Sequence, residues 1–285
     1  MDVELAPITD DDITDVSRFM HDHHNRGVAP ERWSRALRTR WSASAPHHGY
    51  LLRADGRIVG AYLAYFSDRE IDGRIERFCN LGAWCVLEPH RAQGLRLLMA
   101  LLRMRGYHFT DLSPSGSVIA LNRALKFAEL DTTTSIMVNL PWRSARRDVR
   151  ISSDPAVVRA TLSGAERQIY ADHEEAAAAR HLVVMAGDEH CYVIFRRDQR
   201  KRIRAFASIL YVGNADLFRV AARQVGGHLL LHHGIAATLM EQHVIGDRPR
   251  WAVALERARP KMFKSSTLPA DRIDYLYSEL VGLEW

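Results

Sequence analysis

The sequence predicts an α/β protein of the α+β kind, with a mixed central sheet flanked by helices, built as two similar halves. Three observations carry this reading. Hairpin signals with alternating apolar residues are followed by helical stripes, one strand runs straight into a glycine-containing turn that opens a helix, and the order of elements in the first half recurs in the second. At 285 residues and 47% hydrophobic content, the chain is long enough for one large domain or two ordinary ones.

Acidic capping residues from Asp10 onward precede Ile13, Val16, Phe19 and Met20, a helical stripe that runs to His24 and ends near Gly27. A second helix starts after Pro30, with Trp33, Leu37 and Trp41 spaced four apart. The stretch GYLLRADGRIVGAYLAYF holds two β-rich runs around Asp55-Gly56, a hairpin signal, and FCNLGAWCVL is the next strand. From Leu95 the apolar residues mark a helix covered on most sides and ended by Gly106. YHFTDL reads as a short strand, SPSG as a turn with a serine for an N-cap, and SVIALNRALKF as a helix.

In the second half, HLVVMAGDEHCYVIFRR is a hairpin around Gly187-Asp188, AFASILYVG a strand, NADLFRVAARQVGG a helix and HLLLHHGIA a strand. DRIDYLYSELVGLEW reads as an amphipathic helix with Ile273, Leu276, Tyr277 and Leu280 on one side. The joint is expected in NLPWRSARRDVRISSDP, where Pro, Ser and Arg cluster and periodicity lapses, giving domains 1–142 and 143–285.

The motif that carries chemistry is LEPHRAQGLRLL, residues 87–98. A strand that turns tightly into a helix aims backbone N–H groups outward, where the helix dipole also favours negative charge. A glycine there lets phosphate oxygens approach the main chain, and an arginine adds a charged contact. The run from Cys85 through Val86, Leu87, Glu88, Pro89, His90, Arg91, Ala92, Gln93 and Gly94 to Leu95 resembles the acetyl-CoA loop of the GNAT (GCN5-related N-acetyltransferase) superfamily. That pattern is a valine-ended strand, a proline bend, and Arg/Gln-x-x-Gly-x-Gly/Ala opening a helix. The order of elements across residues 1–140 is similar too, as is SVIALNRALKFAEL, which resembles a late helix ending in a Gly-Phe pair; Phe127 is present, and Lys126 stands for the glycine.

The resemblance implies the acyl-CoA N-acyltransferase (GNAT) fold in two tandem copies, with acetyl-CoA or another acyl-CoA as co-substrate. Cys85, Val86, Arg91, Ala92, Gln93, Gly94, Leu95 and Arg96 would hold it, and a backbone N–H near Cys85 or Val86 would meet the oxyanion. Three features depart from the pattern. Arg96 replaces the last glycine or alanine, and it either blocks one phosphate approach, pairs with a phosphate itself, or is an exposed first-turn residue. Asn122 stands where many members carry a proton-donating tyrosine. The equivalent turn of the second half, Gly213-Asn214-Ala215-Asp216-Leu217, lacks the arginine and carries an aspartate that would repel phosphate, so that half would build the acceptor cleft.

Transfer to an amine needs a base for the ammonium proton and donors for the oxyanion. Glu76 and Asp111 are the carboxylates nearest the expected cleft, with Asn122 as a hydrogen-bonding partner and Asn80, His108 and Ser113 on the substrate side. Strand alternation puts His108 and Asp111 on opposite faces, so no direct pair between them is expected. Glu76 could equally face Arg69 across the hairpin, and Asp111 could be an ordinary turn former. His21, His23 and His24 do not share one helix face, His232 and His233 would alternate on a strand, and no metal site is expected.

No apolar stretch reaches the roughly 20 residues of a membrane helix, and MDVELAPITDDD is unlike a targeting segment, so a cytoplasmic protein without a membrane partner is expected. Cys79, Cys85 and Cys191 are odd in number and share no metal spacing. The charge of +5 favours anionic partners without choosing among them. The basic runs at 143–150 and 196–204 read as a solvated linker and a hairpin edge, and they lack the aromatics of a single-strand binder. The expected activity is direct transfer, in a ternary complex, from the thioester to an amine of a small molecule or sugar. The alternatives are the tandem transferases that take an aminoacyl group from tRNA, and a non-catalytic module that senses CoA or holds a partner, a second copy included.

Overall fold

The computed structural model describes residues 2–141, 148–200, 203–255 and 259–284. The chain divides into two compact units. The first comprises Met1–Glu129, Pro260–Ile273 and Tyr277–Trp285, and the second Leu130–Arg259 and Asp274–Leu276. Among the described residues no helix is long and apolar enough to cross a membrane.

Unit 1 runs through β1 (Val3–Pro7), α1 (Ile13–His23), α2 (Pro30–Arg38), β2 (Gly49–Ala54), β3 (Arg57–Ile71), β4 (Arg74–Val86), a 3-10 turn at Glu88–Gln93, α3 (Gly94–Leu102), β5 (His108–Asp111), α4 (Ser117–Ala124) and β6 (Ala128–Glu129). Unit 2 follows with β7 (Thr134–Val138), β8 (Val149–Ser152), α5 (Pro155–Thr161), α6 (Gly164–His173), β9 (Arg180–Ala186), β10 (Glu189–Arg200), β11 (Ile203–Val212), α7 (Ala215–His233), β12 (Ala237–Glu241), α8 (Gln242–Ile245) and β13 (Val253–Ala254). The last elements, β14 (Met262–Lys264) and α9 (Glu279–Gly282), belong to unit 1.

The sheet of unit 1 has the order β1-β2-β3-β4-β5-β14-β6. Asp55 and Gly56, at φ 48° and 75°, supply the left-handed pair that a two-residue hairpin needs between β2 and β3, and Asp72 and Gly73 do the same between β3 and β4. On one face Ile13, Val16, Met20, Trp33 and Leu37 pack against Leu51, Ala61, Leu63 and Tyr65. On the other, Leu97, Leu98 and Leu101 pack with Tyr62, Phe66, Cys79, Leu81 and Phe109. Most pairings are antiparallel, but β4 and β5 are parallel and meet only at Phe78↔His108, Cys79↔Phe109 and Asn80↔Thr110. Beyond Asn80 no strand pairs with that edge of β4 among the described residues. Leu87 N–H donates to Val59 O on β3, so by strand alternation the N–H groups of Val86 and Trp84 point the other way, into this gap.

Unit 2 has the sheet order β13-β7-β12-β11-β10-β9-β8, again with one parallel pair, β11 and β12, after the helix. Phe218, Ala221, Ala222, Val225 and Leu229 of α7 pack on Leu182, Val184, Cys191, Val193 and Ile209. Three antiparallel strands, a helix and a parallel strand thus recur, as the sequence suggests.

Several expectations are corrected. The boundary at 142/143 is replaced, because β7 pairs with β12 in the second sheet while β14 inserts between β5 and β6 of the first. Residues 142–147 of the expected joint, and 201–202 of the second basic run, lie outside the described residues. HLLLHH is helical, not a strand: α7 continues through Gly226-Gly227 to Gly234 (φ 65°). Gly226 does not stop the helix; a Cβ there would press on Asn139 Oδ1 at 2.8 Å. The C-terminal stretch is not one amphipathic helix, because Tyr277 takes φ 57° and only a 3-10 turn at Ala270–Arg272 and the α-helical turn Glu279–Gly282, capped by Ser278, wind. Trp41 lies beyond α2 and bridges Ser67, Gly116 rather than a serine occupies the N-cap of α4, and β1 forms at Val3–Pro7, where the sequence pattern marks no strand.

Candidate functional site

The turn after β4 is built from residues that continue one helical path. Pro89 starts the 3-10 turn, Gly94 N–H donates to Arg91 O, and Gly94 itself has φ −56°, so no left-handed conformation requires a glycine. It packs at ordinary van der Waals distance: a Cβ would stand 3.4 Å from Trp84 Cζ2 and 3.4 Å from Val86 Cγ2. Arg91 is exposed, 3.6 Å from Glu88, and its guanidinium is available to an anion in a way that a buried pair would not be. Arg96 is not. Its Nη1 donates to Val3 O at 2.8 Å and to Gln93 Oε1 at 3.1 Å, so the side chain fastens β1 to α3 and uses Gln93 in doing so. Of its three expected readings, the structure matches the exposed first-turn residue. Ala92 and Leu95 lie on the same turn, Cys85 faces β3 through its N–H, and Val86 presents its N–H to the gap.

At the far end of the gap stands a buried polar cluster. Asp111 ends β5, and Asn122 of α4 donates Nδ2–H to its Oδ2 at 2.8 Å. Ser113 Oγ donates to Glu279 Oε1 at 2.7 Å, Glu279 N–H donates to Asn80 Oδ1 at 3.2 Å, and Asn80 Nδ2 donates to Thr110 Oγ1 at 3.0 Å. Asp111, Asn122, Asn80 and Glu279 are all buried. Burial pushes the Asp111 carboxyl up to about 7, the charge of Glu279 adding to the effect, while the hydrogen bonds from Asn122 and the Ser113 N–H oppose it. The Tyr62 phenol is likewise pushed up, by burial first and then by Asp111.

Glu76 and His108 form a separate group. His108 Nε2 lies 2.9 Å from Glu76 Oε2 and Nδ1 lies 2.9 Å from Ser265 Oγ. Ser265 Oγ already accepts the N–H groups of Thr267 and Leu268, so its own proton goes to Nδ1 and Nε2–H donates to Glu76. This chain fastens the segment after β14 to β4 and β5. Glu76 does oppose Arg69 in register, yet its carboxylate is used by His108.

Of the residues singled out from sequence, the structure thus brings together Asp111, Asn122, Ser113 and Asn80, and leaves Glu76 and His108 apart from them. It adds Glu279, Tyr62 and Trp84. No sequence signal marks Glu279, because a glutamate in SELVGL reads as the polar side of a surface helix.

In unit 2 the corresponding turn is occupied by the chain itself. A Cβ at Gly213 would fall on the Glu166 carboxylate, which His190 Nε2 holds at 2.7 Å, while Asn214 Oδ1 caps the Leu217 N–H. Asp216 is exposed and paired with Arg219. His232 and His233 lie on α7, and the Nε2 atoms of His228 and His233 both face Ser153 Oγ, at 3.1 and 3.2 Å. Among the described residues no group of three or more His, Cys, Asp or Glu stands ready to hold a metal ion.

No protein-family model and no curated protein sequence matches the chain. Solved structures do. A GCN5-related N-acetyltransferase from Anabaena variabilis superposes with a TM-score of 0.59 at 8% identity, covering 92% of this chain and 72% of that one. A putative acetyltransferase from Pyrococcus horikoshii gives 0.56 at 14% identity, over 96% and 93% of the two chains. The N-myristoyltransferase of Saccharomyces cerevisiae, solved with bound myristoyl-CoA, gives 0.52 at 9% identity, over 99% and 84%.

Proposed function

We propose, from the premise that this chain has the fold of GCN5-related N-acetyltransferases, that it is an acyl-CoA-dependent N-acyltransferase acting on an amine of a small molecule or sugar. The observation that carries the reading is Asp111, a buried carboxyl pushed up to about 7 at the end of the gap beside β4, with Asn122 and Glu279 around it. A group so placed matches the removal of an ammonium proton near neutral pH.

The residues present fit an acyl-CoA in two places: the exposed Arg91 on the turn, and the inward N–H groups of Val86 and Trp84. Bound there, the co-substrate would supply an acyl thioester. Asp111, ionised, takes the proton from the incoming ammonium, and Asn122 holds the carboxylate in place through its Nδ2–H. Val86 N–H is available to the oxygen that gains charge as the amine adds. The acyl length, with acetyl as the simplest case, and a cytoplasmic site of action belong to this proposal.

The test is to follow thiol release from acetyl-CoA and longer acyl-CoAs against a panel of amines. Release that requires both substrates, with Asp111→Asn slower by about 100-fold or more, is the expected result. Absence of amine-dependent release from a folded sample that binds desulfo-CoA would overturn it in favour of a non-catalytic CoA-binding module.

A further inference from the structure

Glu279 brings a second carboxylate to the Asp111 cluster from the far end of the chain. Its N–H donates to Asn80 Oδ1 at 3.2 Å and its Oε1 accepts the Ser113 hydroxyl proton at 2.7 Å, so main chain and side chain are both held. Ser113 links the two acids, because its own N–H bonds the Asp111 carboxyl. Both acids are buried.

A glutamine at 279 could accept the same hydroxyl and keep the bond to Asn80 without taking a charge out of water, so packing does not account for the acid. The charge is costly where it stands. It opposes ionisation of Asp111, and it acts on the phenols of Tyr62 and Tyr65, which pack on opposite faces of the sheet. The groups that act on the Asp111 carboxyl are Asn122, Glu279 and the Ser113 N–H, and none of them is a cation. Asn122 adds an acceptor. Its Nδ2 is used by Asp111, and Oδ1 of the same amide, fully buried, has no hydrogen-bond donor among the described residues. Two carboxyls and an unpaired amide oxygen suit N–H groups that carry positive charge and repel a further anion.

We infer that Glu279 is a specificity-determining residue: with Asp111 it confines the acceptor to amines whose amine-bearing carbon carries no carboxylate, alkyl amines and amino sugars rather than α-amino acids. This rests on the N-acyl transfer reading above. An ammonium brought to Asp111 brings with it whatever its own carbon carries, and in a site that buries both acids the repulsion of a third carboxylate is poorly screened.

The test follows thiol release from acetyl-CoA with matched acceptors, tyramine beside tyrosine and glucosamine beside glucosaminate. In each pair the second member has a carboxylate on the amine-bearing carbon. The expected result is a kcat/KM at least about tenfold higher for the first member in the native chain. The gap should narrow several-fold in Glu279→Gln and return in Glu279→Asp, which keeps the charge.

Equal kcat/KM within the pairs would overturn the inference while leaving N-acyl transfer intact, and that comparison requires no variant to fold. An unchanged ratio in a folded Glu279→Gln, with both members slowed alike, would also overturn it, since the glutamate would then serve only to hold the C-terminal segment. If neither pair, nor any amine of the wider panel, drew thiol release, the N-acyl transfer reading would fall and the inference with it.

Discussion

Asn122 donates its side-chain amide to Asp111 across 2.8 Å, and both residues are buried. The bond helps the charged carboxylate, yet burial wins and the carboxyl is pushed up to about 7 from its ordinary 3.8. The folded chain therefore keeps a proton that the unfolded chain releases between about pH 4 and 7. Stability from this group is highest at low pH and falls as pH rises through that window, by about 4 kcal/mol in total. Asp111→Asn should flatten the decline, so that between pH 5 and pH 8 its melting temperature gains on that of the native chain. Parallel melting curves across that range would contradict the assignment.

Arg96 and Val3 give the second prediction. If the guanidinium fastens β1 rather than binding phosphate, Arg96→Ala should lose about 1 kcal/mol of stability while its affinity for desulfo-CoA stays within about twofold. A loss of affinity of tenfold with unchanged stability would return Arg96 to the phosphate.

Lys126 stands where the resembling families carry a glycine, and it adopts φ 62°. A side chain in this left-handed region costs about 1–2 kcal/mol, which glycine avoids at the expense of a more flexible unfolded chain. Lys126→Gly should raise the melting temperature by about 2 °C. A fall would mean that the lysine side chain makes a compensating contact.

Gly213 and Glu166 offer the fourth test. A methyl at Gly213 must displace the carboxylate that His190 holds, so Gly213→Ala should cost about 1 kcal/mol in chemical denaturation through loss of that contact. Adding Glu166→Ala should recover part of it, whereas simple additivity of the two losses would show that the crowding lies elsewhere.

Sequence patterns made the strand, turn and helix around Gly94 legible, because hairpin chemistry at Asp55-Gly56 and helical periodicity after Leu95 are local signals. Asp111 and Asn122 could be named for the same reason: each ends or opens a local element. What was not legible depends on contacts distant in sequence. β14 joins β5 through a pairing of Met262 with Asp111, and Glu279 reaches Asn80 and Ser113 across more than half the chain. Tyr277 breaks the C-terminal helix with a positive φ that its amphipathic spacing hides. Within α7 the glycines at 226 and 227 mimic a stop, although Gly226 is there to admit Asn139.

Calorimetric titration of desulfo-CoA into the full chain, beside Arg91→Glu, bears on acyl-CoA binding itself, because Arg91 is exposed and its charge can be reversed without disturbing the core. Micromolar binding by the native chain and a loss of at least about tenfold in the variant are expected. No binding by a folded native sample, or equal binding by the two proteins, would contradict acyl-CoA binding at this turn.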